Sequence, residues 1–156
     1  MARLLAALTA TVTFLLAAPS SAYADLQDGR ITLPVAIDQT TGDRFAAVPD
    51  WQKAGNCTVF PEMTVRVIQR ADPAATTYVV RLHATVFTIA VHGSADVWHE
   101  YLSLRDASGA LIAGVTFDGP QMTRTFTDYT WDAQVSVPLT VPTYLRIAKI
   151  QFVASC

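Results

Sequence analysis

Charge is scarce in this chain. Of its 156 residues only 15% are Asp, Glu, Lys or Arg, and 11 basic side chains nearly balance 13 acidic ones. So weak and mixed a charge offers no basic stripe for nucleic acid, where phosphate neutralisation dominates affinity. It gives equally little reason to expect an anionic membrane surface. Lysine is nearly missing, with two against nine arginines, and asparagine occurs once, at position 56. With the abundant alanine, this usage suggests a GC-rich bacterial genome.

Helical periodicity is nearly absent beyond residue 24, and no later run approaches the roughly 20 apolar residues of a membrane span. Catalytic signatures are also missing. There is no Gly-x-Ser-x-Gly and no His-Glu-x-x-His. The string His92-Gly93-Ser94-Ala95-Asp96 packs three triad residue types together, but triads are assembled from distant segments, so it reads as a turn. His83, His92 and His99 have no ligand spacing along one strand face. Asp38 with Asp43, and Asp128 with Asp132, do not follow calcium-loop spacing and read as turn formers. We therefore expect no enzyme, no metal and no cofactor.

What is present begins with a leader. Arg3 precedes an uncharged run from Leu4 to Ala18, Pro19 breaks it, and Ala22-Tyr23-Ala24 fits the small-x-small cleavage rule. This predicts a secretory signal peptide over 1–24, cut after Ala24, and an extracellular protein. Export makes a disulfide the default state of the two cysteines, Cys57 and Cys156. The bond would close a loop of about 100 residues, for which chain entropy gives at most roughly 4.7 kcal/mol.

Short runs rich in Val, Ile, Thr, Tyr and Phe, bounded by Gly, Pro, Asp and Ser, predict strands. They fall at 31–37, 57–69, 78–92, 97–105, 110–117, 121–127, 131–137 and 144–153. About eight strands without helical crossovers predict an all-β antiparallel β-sandwich with one disulfide, immunoglobulin-like in shape, with a jelly roll as the alternative. A meander through 78–117 would place His83 opposite Asp106. The apolar face of 78–92 switches near Phe87, which suggests a bulge or passage between sheets. The sandwich body is expected over 57–156, preceded over 25–56 by an N-terminal arm or edge strand and a long loop.

Pro34 removes a ladder donor from the first strand, which is then an edge, a sheet-switching strand or a free arm. As an arm it would pair with a partner's sheet, Ile31, Leu33, Val35 and Ile37 filling pockets. In Trp98-His99-Glu100-Tyr101, alternation sends Trp98 and Glu100 to one face, with Trp98 in the core. It leaves His99 and Tyr101 as an outward patch for a glycan or protein. The functional expectation is a secreted, non-catalytic adaptor or accessory subunit of an extracellular assembly, such as one delivering a toxin or enzyme. Another secreted protein is its expected partner, with no nucleic acid and no membrane span. The alternatives are a carbohydrate-binding module or lectin, stacking sugars on Trp51, Trp98, Tyr101, Tyr129 or Trp131, a small secreted enzyme inhibitor, and a small hydrolase.

Overall fold

Period-two alternation organises the computed structural model, which describes residues 29–156. The expected leader over 1–24, its cleavage point after Ala24, and residues 25–28 of the expected arm lie outside the described residues. In chain order the strands are β1 (Arg30–Pro34), β2 (Ala36–Ile37), β3 (Arg44–Ala47), β4 (Gln52–Ala54), β5 (Cys57–Val59) and β6 (Thr64–Ile68). They continue with β7 (Thr77–Thr88), β8 (Asp96–Arg105), β9 (Leu111–Met122), β10 (Tyr129–Pro138), the short helix α1 (Val141–Leu145) and β11 (Lys149–Ser155).

The smaller sheet has the order β1-β11-β8-β9. In the larger one, β7 is the spine. One of its edges pairs with β6 and then β5, and the other pairs along Thr77–Val86 with β10. The outer strands β3 and β4 flank β6 and β5, and β2 flanks β3. All these pairings are antiparallel. Inward residues of β7 (Tyr78, Val80, Leu82, Ala84, Val86) meet those of β8 and β11 (Trp98, Leu102, Leu104, Ile150, Phe152) in one core. Burying each such aliphatic or aromatic side chain is worth about 1.5–3 kcal/mol, which holds the sheets face to face.

The first strand is an integral one. Ile31 and Leu33 are buried opposite Phe152 and Ile150 of β11, and Pro34 ends that pairing. One residue later the chain crosses to the larger sheet, where Ile37 pairs with Arg44. The free arm is therefore corrected to a sheet-switching strand: Pro34 interrupts one ladder where the other begins. Ile31 and Leu33 are committed to the core, Val35 is half-buried, and only Ile37 keeps a largely exposed apolar side chain.

Further expectations change for related reasons. The chain leaves β7 and crosses to the other sheet, because both edges of β7 are taken by β6, β5 and β10, and those of β8 by β11 and β9. The meander over 78–117 thus survives only as the β8–β9 hairpin, and His83 faces Asp132 instead of Asp106. The run 57–69 splits at Pro61, where Glu62 adopts φ 75 and its N–H turns to Val48 O. The connection 38–56, expected as a long loop, supplies β3 and β4. Strand β9 continues through Gly119 and Pro120 to Met122, and 123–128 is loop. Tyr144 lies in α1 and stacks on Tyr78 at 4.7 Å, while Arg44 donates to Ile147 O and Leu145 O at 2.9 Å each.

The expected disulfide is present. Cys57 and Cys156, with Cα atoms 5.9 Å apart, join β5 of the larger sheet to the chain end beyond β11 of the smaller. The bond is thus a staple between sheets.

Candidate functional site

The outward side of β7 changes character along its length. Arg81 and His83 are exposed and polar, whereas Phe87 opens an aromatic cluster with Trp51 and Phe60. The Trp51 and Phe60 rings are 4.5 Å apart and tilted by 45°, and Phe60 meets Phe87 at 5.5 Å and 62°. Phe126 joins from the 123–128 loop, 6.5 Å from Phe87. Its ring is 75% exposed on a backbone at φ 52. A bulky residue in the left-handed region is strained, and such strain persists only where the surroundings enforce it. Here the Phe126 N–H donates to Thr88 O at 2.8 Å, and the Tyr129 hydroxyl accepts from the N–H groups of Thr123 and Arg124. With half-exposed Ile89 alongside, the face presents an apolar surface that the sandwich does not cover.

The polar end spans three strands. One rung reads Thr64, His83, Asp132, and the next reads Arg66, Arg81, Gln134. Together they line a groove of about 460 Å³. Arg66 donates to Asp38 at 2.9 Å and lies over the Phe45 ring at 5.1 Å. The Arg66 guanidinium and the backbone N–H groups of Thr40 and Thr41 hold the Asp38 carboxyl below its ordinary range. His83 Nδ1 and Asp132 Oδ1 are 2.7 Å apart.

The polar side chains of both sheets are engaged locally. His83–Asp132 and His99–Asp118, each 2.7 Å, are cross-strand pairs. Among the described residues neither imidazole hydrogen-bonds a hydroxyl or thiol nucleophile on its second nitrogen. The metal-ligating grouping found among the described residues, Cys57, Asp96 and Cys156, has both sulfurs in the disulfide. Asp38 and Asp43 are used locally, on the N–H groups of Thr40, Thr41 and Gln69 and on Arg66. No described helix is long and apolar enough to cross a membrane.

His99 and Tyr101 do point outward, but from the opposite sheet. His99 is occupied by Asp118, and the Tyr101 ring covers Gly114 so closely that a Cβ there would lie 3.0 Å from Tyr101 Cζ. Trp98 and Trp131 are buried, and Tyr129 is half-buried with its hydroxyl engaged. Of the three tryptophans, only Trp51 is left for surface recognition. Sequence reasoning did not gather Trp51, Phe60, Phe87 and Phe126. The available signal was the apolar switch at Phe87, since an aromatic on the outward parity of a strand needs cover from elsewhere.

Beneath the other sheet lies a buried acid. Glu100 is fully buried, its Oε2 accepting from Trp98 Nε1 at 2.9 Å while Oε1 has no partner. Loss of hydration pushes its pKa up to about 8, against the opposing pull of the Trp98 hydrogen bond.

Comparison of the chain with family models, curated proteins and solved structures returns no match.

Proposed function

We propose that this chain is a secreted, non-catalytic binding protein that docks another protein on the outer face of its larger sheet. The observation that carries this reading is the gathering of Trp51, Phe60, Phe87 and Phe126 on the solvent side, with Phe126 held outward on a strained backbone. Aromatic anchors surrounded by polar groups are where binding energy concentrates in protein interfaces. The leader, with its Ala22-x-Ala24 site, supports export, and an accessory or adaptor subunit of an extracellular assembly is the role that fits.

Ring orientation favours a protein over a glycan. Sugar stacking uses a flat aromatic platform, whereas these rings are inclined by 30° to 86° to their neighbours. Tilted rings form a cup that takes an aliphatic or aromatic side chain.

Selection from a random dodecapeptide library should yield peptides rich in aromatic or branched aliphatic residues. Their affinity should fall at least about tenfold for a Trp51→Ala, Phe126→Ala double variant, the loss of roughly 1.4 kcal/mol or more expected of an interface anchor. Both positions are exposed, so the variant should keep the parent's cooperative urea transition. Binding to an array of polysaccharides, with no peptide enriched, would replace this reading by the lectin one.

A further inference from the structure

The polar end of the same face carries a charge arrangement that the sandwich does not explain. Arg66 and Arg81 stand directly opposite on neighbouring strands, and like charges so placed repel. Arg66 is compensated by Asp38 at 2.9 Å and Asp43 at 3.7 Å. Among the described residues Arg81 has no carboxylate partner, and its Nε donates to Gln134 Oε1 at 3.3 Å. The nearby acid of the groove, Asp132, is engaged by His83. The groove therefore offers chiefly donors: two guanidinium groups, the Thr64 hydroxyl and the Gln134 amide. A planar guanidinium with an open edge matches a carboxylate, which accepts two parallel N–H bonds.

Resting on the docking reading above, we infer that this groove recognises an Asp or Glu side chain of the same protein partner. That partner's apolar residue sits on the aromatic cluster. Arg81 and Phe87 are six residues apart on the outward side of β7, roughly 20 Å of extended chain. An even spacing keeps two side chains on one side of a strand. A partner segment running extended along β7 therefore presents its acid about six residues from its apolar anchor. A sugar acid also carries a carboxylate, but the inclined rings beside the groove cover a peptide side chain better than a pyranose face.

The test selects a random dodecapeptide library displayed on phage, in low salt, against the intact protein and in parallel against its Arg81→Gln variant. Arg81 is exposed, so its replacement leaves the core untouched. Against the intact protein, the selected peptides should be enriched in Asp or Glu about six positions from an aromatic or aliphatic residue. Against Arg81→Gln the acid enrichment should vanish and the apolar enrichment remain. Replacing the acid of a selected peptide by its amide should weaken binding to the intact protein several-fold, and raising the salt from about 0.05 M to about 0.5 M should erase that difference. Acids no commoner than in the unselected library, or equally enriched on Arg81→Gln, would overturn the carboxylate site while leaving the docking face standing. Apolar enrichment that ignores Trp51→Ala and Phe126→Ala would remove the docking face, and this site with it.

Discussion

Raising the pH from about 4.5 to about 8 should remove on the order of 5 kcal/mol from the folding free energy, and a Glu100→Gln variant should escape that loss. The carboxyl of Glu100 is buried between the sheets, with its Oε1 unpartnered. Burial raises its pKa from 4.5 to about 8, so in this window the native state holds a proton that the unfolded chain has released. The state that binds more protons loses ground as pH rises. The contribution is fully present below pH 4.5, declines through the window and is lost as the pH rises through about 8, above which both states are ionised. Such a change is a large share of the 5–15 kcal/mol typical of a domain. Glutamine keeps an oxygen for the Trp98 N–H but cannot ionise. Urea midpoints across this range should therefore fall for the parent protein and stay level for Glu100→Gln. The acidic limb has other owners. Asp38, Asp96 and Asp106 have lowered pKa values, Asp106 to about 2 through the Ser108 hydroxyl and Arg146, so their contributions are lost only below pH 3.8. Parallel alkaline curves for parent and variant would show that Glu100 is not the group responsible.

Removing the disulfide, by reduction or by Cys57→Ala with Cys156→Ala, should lower the unfolding free energy by about 2–5 kcal/mol. The bond closes a loop with a sequence separation of 99 and joins β5 of the larger sheet to the residue that follows β11 of the smaller. Without it, no covalent link ties β5 of the larger sheet to β11, the strand that pairs with both β1 and β8. The proposed docking face lies on the outer side of the larger sheet, away from the bond. Peptide binding should thus be unchanged at any temperature where the reduced protein remains folded. Titration of the native protein with a thiol reagent checks the premise, because two reactive thiols would show that the bond is absent in solution.

Strand existence was largely legible because alternation survives in a single sequence. Trp98, Leu102 and Leu104 share one parity and His83 the outward parity of its strand, and the structure keeps these assignments. Partners were less legible. Local order favoured a hairpin between 78–92 and 97–105, yet pairing is decided by which edges remain open, and those of β7 are filled by strands from both sides of the sequence. Pro34 correctly marked an interruption, but only the second sheet shows that the chain switches there instead of leaving the body. Parity likewise put Glu100 beside Trp98 without revealing its burial, because that depends on the opposing sheet. The aromatic face is the extreme case. Its four rings come from residues 51, 60, 87 and 126, on four separate segments, and no window of sequence brings them together. His99 and Tyr101 drew attention because they are adjacent in sequence, yet local partners, Asp118 and Gly114, account for both.

The claim that the outer face of the larger sheet is a protein-docking surface is tested most directly by amide chemical-shift mapping. The isotope-labelled protein would be titrated with the tightest peptide from the library selection. Shifts should concentrate around Trp51, Phe60, Phe87 and Phe126 and extend to Arg81, with β8 and β11 unmoved. Shifts centred instead on His99, Tyr101 and Asp118 would place recognition on the smaller sheet and contradict it.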